Sequence, residues 1–442
     1  MLARLHVLAL IVWAVPGVAL AQTPIRLREP FSAGYQYHVS TRTTLTGELR
    51  LPAEAGKAPE TVAQSGTSAV EYDERILDGG TADKPATKTL RIYRRYDLTR
   101  KVGDVPQEAT IRTGVRRMVV LRHGHREVPF SPDGPLTWEE LDNVRTDVFA
   151  PALAALLPDR PVSPGERWVA GLAAVEELTD LEKIEAGGLE CRFDEIATLA
   201  GRKVALIRLS GTVKGVSEDG PTRHKIEGKF YFDLSSSYVS YLWLEGVQTL
   251  LDKDGKEAGQ VRGEFTMTRQ AYVQPPELAD SAIRPLALEP NADNTLLYYD
   301  NPDLGLRLLH PRRWRVGLIT GRQVAIDDVG NSRNGILLTL DSLAGLPTPD
   351  AYAKEAEKFI TKVKGKVLKA DPTRRLANPP AELEQFGFEA EIDSQRVRLE
   401  YYIARQPAGG ATLAVRLTST DLAVLERDVE RIARSVRVEA KR

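Results

Sequence analysis

The chain has 442 residues, of which 60 are Lys or Arg and 61 are Asp or Glu, giving a formal net charge of −1. So even a balance argues against a nucleic-acid binder, which needs a basic surface to displace condensed counterions. Hydrophobic residues make up 42% and charged residues 27%, the composition of a soluble globular protein and not of a disordered one. The length allows roughly three domains of about 150 residues, or fewer if β-rich domains of about 200 to 250 are present.

Residues 1–21 read as a secretory signal peptide. Arg4 supplies the positive start, Leu8 to Val15 the apolar run, Pro16-Gly17 the break and Ala19-Leu20-Ala21 the small-residue cleavage site. The next residue is Gln22, so no cysteine stands there to carry a lipid anchor. No other stretch approaches about 18 uncharged apolar residues. The mature protein is therefore expected to be exported, periplasmic or secreted, and not membrane-spanning. The single cysteine, Cys191, excludes an internal disulfide. It alternates with Leu189 and Phe193, which places it on a buried strand face as an inert thiol.

A long β-rich region follows. Tyr37, Val39, Leu45, Leu49 and Leu51 fall on one parity, and His38, Ser40, Arg42, Glu48 and Arg50 on the other. A period of two marks a strand with one buried face. Pro52 to Pro59 reads as a loop, and strands are expected near 66–77, 87–101 and 110–122, with a turn at Asp78-Gly79-Gly80. Thr137-Trp138-Glu139-Glu140 is a capping box opening a helical stretch to Leu157, which Pro151 divides. Strands resume at 203–213, 225–234, 239–251 and 261–270, joined by short turns such as Asp252-Lys253-Asp254-Gly255. The pattern is an antiparallel meander. With its helical insertion, the stretch from Tyr35 to Tyr272 resembles the half-barrel of LolA-like lipoprotein carriers. The resemblance implies a curved sheet wrapped around helix, whose concave face either holds an apolar small molecule as a partner or is packed by the chain's own helix. Residues 30–273 are taken as this domain, and the proline-rich 274–294 as a linker.

Residues 295–442 read as a second domain. Leu304, Leu306 and Leu308 alternate up to His310-Pro311, and Trp314 and Val316 continue after the turn. Strands are expected near 322–327, 335–341, 384–392, 395–405 and 411–417. Thr348, with Pro349 at the first helical position, caps a helix whose apolar face is Tyr352, Ala356, Phe359, Ile360 and Val363. Thr420 is expected to cap a last helix burying Leu422, Leu425, Val429, Ile432 and Ala433. Tyr298-Tyr299-Asp300, Leu304-Gly305-Leu306, the His310-Pro311-Arg312-Arg313-Trp314 turn and the terminal Ser435-Val436 together resemble the PsbP-like fold. His310 stands where that family carries an aromatic residue. This resemblance implies a non-catalytic docking role with an envelope protein as partner. The expected fold class is therefore α+β: an antiparallel half-barrel-like β domain with a helical insertion, then a smaller PsbP-like α/β sandwich domain.

Residues that specify a reaction are sparse. His123-Gly124-His125 would point two imidazoles the same way on a strand, but spacing supplies no third metal ligand. Asp252-Lys253-Asp254-Gly255 lacks the later ligands of a calcium loop and reads as a turn. Acidic pairs such as Glu139-Glu140 and Asp73-Glu74 read as solvated charge. The run Arg312-Arg313-Trp314-Arg315 beside Arg307 reads as solvated arginines around a core tryptophan. No hydrolase elbow, zinc-protease helix or phosphate loop is present. The expectation is a non-catalytic binding or interaction protein, not an enzyme, with no cofactor, no metal and no assigned catalytic residue. The alternatives are a metal-dependent hydrolase with a site near His123 and His125, and a structural scaffold.

Overall fold

A computed structural model describes residues 23–50, 60–80, 86–123, 126–218, 220–377, 381–418 and 421–439. The signal segment 1–21 and the loop 52–59 lie outside the described residues.

Period-two alternation produces twelve strands of one antiparallel sheet. They are β1 (Gln36–Arg50), β2 (Thr61–Asp78), β3 (Lys88–Val102), β4 (Val105–Ala109), β5 (Arg117–His123) and β6 (Arg126–Phe130), then β7 (Arg167–Val169), β8 (Lys183–Leu199), β9 (Arg202–Ser217), β10 (Gly220–Asp233), β11 (Tyr238–Leu251) and β12 (Glu257–Ala271). The order is β6-β5-β3-β2-β1-β12-β11-β10-β9-β8-β7, with β4 beside β3. Tyr37 and Val39 of β1, Val70 and Tyr72 of β2, Phe193 of β8 and Phe230 of β10 face inward, where all are buried in one cluster. Glycines let the sheet curl. A Cβ on Gly211 would lie 2.0 Å from the Gly188 carbonyl oxygen, and one on Gly187, at φ +88°, would lie 1.9 Å from that of Thr212. Only glycine permits so close a passage of neighbouring strands.

The curled sheet is filled by its own chain. Between β6 and β8 run α1 (Trp138–Arg145), a 3-10 turn (Ala150–Leu156) and α2 (Leu172–Thr179). Thr137 and Glu140 form the expected capping box at the start of α1. Leu141, Val144, Phe149, Leu153, Leu156, Ala174 and Val175 pack against the inner face, together with Leu27 and Phe31 of the N-terminal segment. Burying each large apolar side chain there contributes roughly 1.5–3 kcal/mol.

The remaining chain comprises α3 (Asp280–Ile283), β13 (Leu297–Asn301), β14 (Leu306–His310), β15 (Trp314–Thr320), β16 (Gln323–Asp328), β17 (Gly335–Asp341) and α4 (Pro349–Lys362), then β18 (Lys366–Leu376), β19 (Glu382–Ile392), β20 (Gln395–Gln406), β21 (Gly409–Leu417), α5 (Leu422–Ser435) and β22 (Arg437–Val438). They form a three-stranded sheet, β13-β14-β22, and a seven-stranded one, β15-β16-β17-β21-β20-β19-β18. Leu425, Val429 and Ile432 of α5 cover one face of the larger sheet with Trp314, Ile326, Leu338 and Leu413. Ala356 and Ile360 of α4 cover Phe386, Phe388 and Tyr401 on the other. Residues 274–294 are packed: Leu278 and Ile283 bury against Leu90, Ile92, Val119 and Phe130 on the outer face of the first sheet.

The α+β expectation is overturned. Among the described residues the protein is β-rich, with 22 strands and five α-helices, the longest of 14 residues. Every named strand pairing is antiparallel, including those of the part expected to be an α/β sandwich. The helical stretch over 137–157 falls into two pieces as expected, the eight-residue α1 and a 3-10 turn from Ala150 with Pro151 in its first turn. Two further details differ. Phe359, expected on the buried face of α4, is 53% exposed, since Ala356 and Ile360 make the contact. Asp421 occupies the N-cap of α5 without a side-chain capping hydrogen bond, and Thr420 lies outside the described residues.

Candidate functional site

Strand register places charge on the inner face. Tyr37 opposes Glu74, Glu74 opposes Arg91 and Arg91 opposes Met118, so these four share one row across β1, β2, β3 and β5. Arg122 opposes Glu127 across β5 and β6 and shares parity with Met118 and Val120, which are buried on that same face. An apolar core rarely admits such residues unless they are paired.

Here they are paired in a continuous network. Glu74 Oε1 accepts from Arg91 Nε at 2.6 Å and from Thr89 at 2.7 Å, and Oε2 accepts from the Tyr37 hydroxyl. Arg91 Nη2 and the Tyr72 hydroxyl both donate to the Val148 carbonyl, at 3.0 and 2.9 Å. Tyr93 donates to Asp147 at 2.6 Å. Glu177 of α2 accepts from Arg122 and, at 2.6 Å, from the backbone N–H of Phe149. A second buried pair, Arg269 and Glu29 at 2.8 Å, lies beneath the Tyr37 ring, whose centroid is 4.3 Å from the guanidinium.

At one end the network opens into a cleft of about 150 Å³, lined by Arg122, Glu127, Asp147, Glu177 and more exposed acids. Arg122 is committed to Glu177 and stands 4.0 Å from Glu127 Oε1. Glu127 Oε2 is buried without a hydrogen-bond partner, as is Arg91 Nη1. Burial, reinforced by the neighbouring Glu177 carboxylate, pushes the Glu127 carboxyl up to about 8. Burial raises Asp147 to about 7 against the opposing pull of Arg91 and its bond from Tyr93. Burial also raises Glu177. The cleft thus holds carboxyls that exchange protons near neutral pH, next to a guanidinium. Such groups suit proton transfer or the recognition of a cation.

The residues singled out in the sequence are scattered. His123 ends β5, and Gly124 and His125 lie outside the described residues. Among the described residues no group of three His, Cys, Asp or Glu is arranged to hold a metal. Asp252 Oδ1 accepts from the backbone of Asp254 and Lys256 at 2.9 Å, the expected turn. Cys191 is buried on β8 and its thiol is pushed up to about 12 by burial. Glu140 is bound by Arg112 at 2.7 Å, and Asp73 by His38 and Arg94 at 2.8 Å. The basic run is engaged. Arg313 pairs with Asp328 at 2.9 Å, Arg307 with Glu439 at 2.7 Å, and Arg315 lies 5.3 Å from the Trp138 ring centroid. Arg312 donates to the carbonyls of Thr295 and Pro129 at 3.0 and 2.5 Å, tying the turn to β6. Trp314 is fully buried. Sequence reasoning missed Glu74, Arg91, Glu127 and Glu177. The available signal was a charge at an inward position of an alternating strand, Tyr72-Glu74-Ile76 and Thr89-Arg91-Tyr93.

No protein-family profile and no curated protein matches the chain. Several solved structures align with it. Cyanobacterial PsbP from Synechocystis sp. PCC 6803 is 10% identical and covers 33% of this chain and 93% of its own, with a TM-score of 0.27. DynF from the dynemicin biosynthesis pathway of Micromonospora chersina is 11% identical and covers 62% and 96%, with a TM-score of 0.16. OprB of Pseudomonas putida is 9% identical and covers 87% and 93%, with a TM-score of 0.11. Likeness at these TM-scores carries no argument about what this chain does.

Proposed function

We propose that the chain is an exported binding protein, non-catalytic, whose ligand site is the charged cleft of residues 30–273 and whose PsbP-like residues 295–442 dock an envelope partner. The observation that carries this reading is the contrast between a filled inner face and an open polar cleft. Phe149, Leu153 and Leu156 occupy the space where a lipoprotein carrier would hold its cargo. The apolar-ligand version is therefore not retained. The cleft at Glu127 is small, polar and rich in carboxylates, which suits a small polar ligand and not a lipid. No helix among the described residues is long and apolar enough to cross a membrane.

The test is native mass spectrometry of protein purified without detergent, combined with thermal-shift screening of polar metabolites and phospholipids. The expected result is no bound lipid and a rise in melting temperature with a polar ligand. A stoichiometric lipid adduct would overturn the reading.

A further inference from the structure

We propose that the cleft recognises a small organic cation, an alkylammonium or guanidinium head group, through the free oxygen of Glu127. This rests on the reading of the chain as a binding protein and names its ligand class.

Two observations converge independently. The first is charge. The cleft is faced by Glu127 from β6, Asp147 and Arg145 from the end of α1 and beyond, and Glu176 and Glu177 from α2. Asp180 and Glu182 follow α2, Glu218 comes from the β9–β10 turn, and Arg122 from β5. That is seven carboxyls against two guanidiniums among the lining residues; Arg91, paired with Glu74, adds a third positive charge acting on Glu127. A recess lined by one sign of charge focuses its field and concentrates counter-ions. The second is geometry. The Glu127 side chain is 8% exposed, yet its Oε2 has no hydrogen-bond partner. The nearest cation, Arg122, is engaged by Glu177. A buried carboxylate left without a donor is unfavourable, and an incoming N–H⁺ supplies both the countercharge and the bond. The volume fits as well. At roughly 30 Å³ of liquid volume per water, about 150 Å³ holds a head group with a short stem. In the free protein at neutral pH the Glu127 proton does the work of the missing cation. Binding therefore releases that proton.

Calorimetric titration of the full chain with methylguanidinium and n-butylammonium, against neutral methylurea, tests this. Saturable binding of the cations and none of methylurea is expected, with proton release shown by buffers of different ionisation enthalpy. Glu127→Gln keeps the shape of the protonated acid and should weaken binding by ~10-fold or more, the worth of one charge-assisted hydrogen bond. Glu182→Gln, at the exposed rim, should weaken it only a few-fold, with circular dichroism confirming that both variants fold. No saturable binding of either cation, equal binding of methylurea, or undiminished affinity in Glu127→Gln would overturn the assignment. If the cations fail while a different polar ligand raises the melting temperature, only the cation is lost and the binding reading stands. A bound lipid removes both.

Discussion

Replacing Arg91 with methionine strikes the buried network at its centre. The Arg91 and Glu74 side chains are both 0% exposed. Methionine keeps the apolar stem and removes the charge. Glu74 would retain its bonds from Thr89 and Tyr37 but lose its countercharge. The Val148 carbonyl would lose one of two donors. Breaking a dry ion pair by removing one partner costs ~3–5 kcal/mol, and the lost bond to Val148 about 1 more. Against a typical stability of roughly 5–15 kcal/mol that is a large fraction. Urea unfolding followed by circular dichroism should show the midpoint falling sharply with an unchanged slope. Adding Glu74→Gln should recover part of the loss, since the two residues act as one unit. A loss below about 1 kcal/mol for Arg91→Met would refute the claim that this pair is desolvated and central.

Glu127 and Asp147 have folded values raised to about 8 and about 7. The folded state thus holds protons that the unfolded chain has released, and this contribution to stability is full below the ordinary carboxylate range and lost as pH rises through 7 and 8. Unfolding free energy should fall from pH 5 to pH 8.5, and Glu127→Gln should flatten that decline; an unchanged slope contradicts the assignment. Leu153→Ala, in the helical filling of the sheet, should cost ~2–5 kcal/mol by thermal or urea denaturation, whereas a ligand-filled face would tolerate it. Cys191 should resist a disulfide reagent at pH 8 until the protein unfolds, because its thiol is buried and pushed up to about 12; rapid labelling of the native protein would show the inner face to be open.

Local chemistry made some of this legible. The Tyr37 alternation, the Thr137–Glu140 box, the Thr348 cap with Pro349 and the buried Trp314 follow from short-range rules, and each stands in the structure. Strand β18 was illegible because nearly every residue in it is exposed, leaving no apolar parity to read. The cleft was illegible for another reason. Arg122, Glu127, Asp147 and Glu177 come from two strands, a loop and a helix, and only tertiary packing of α2 against β5 unites them. The Asp73-Glu74 pair shows the limit well. Both read as solvated charge, yet parity sends Asp73 to the outer face with His38 and Arg94, and Glu74 into the core. The fold class went astray because the helices were weighed as the equals of the strands, whereas the described helices are short, 14 residues at most, beside 22 strands.

The most direct test is the protonation of Glu127 itself, read by carboxyl carbon-13 NMR with Glu127→Gln used for assignment. A signal that stays neutral up to about pH 7, titrates near 8 and becomes ionised at constant pH when methylguanidinium is added is the expected result. A carboxylate already ionised at pH 5 and indifferent to the cation would contradict both the burial of this group and the site built around it.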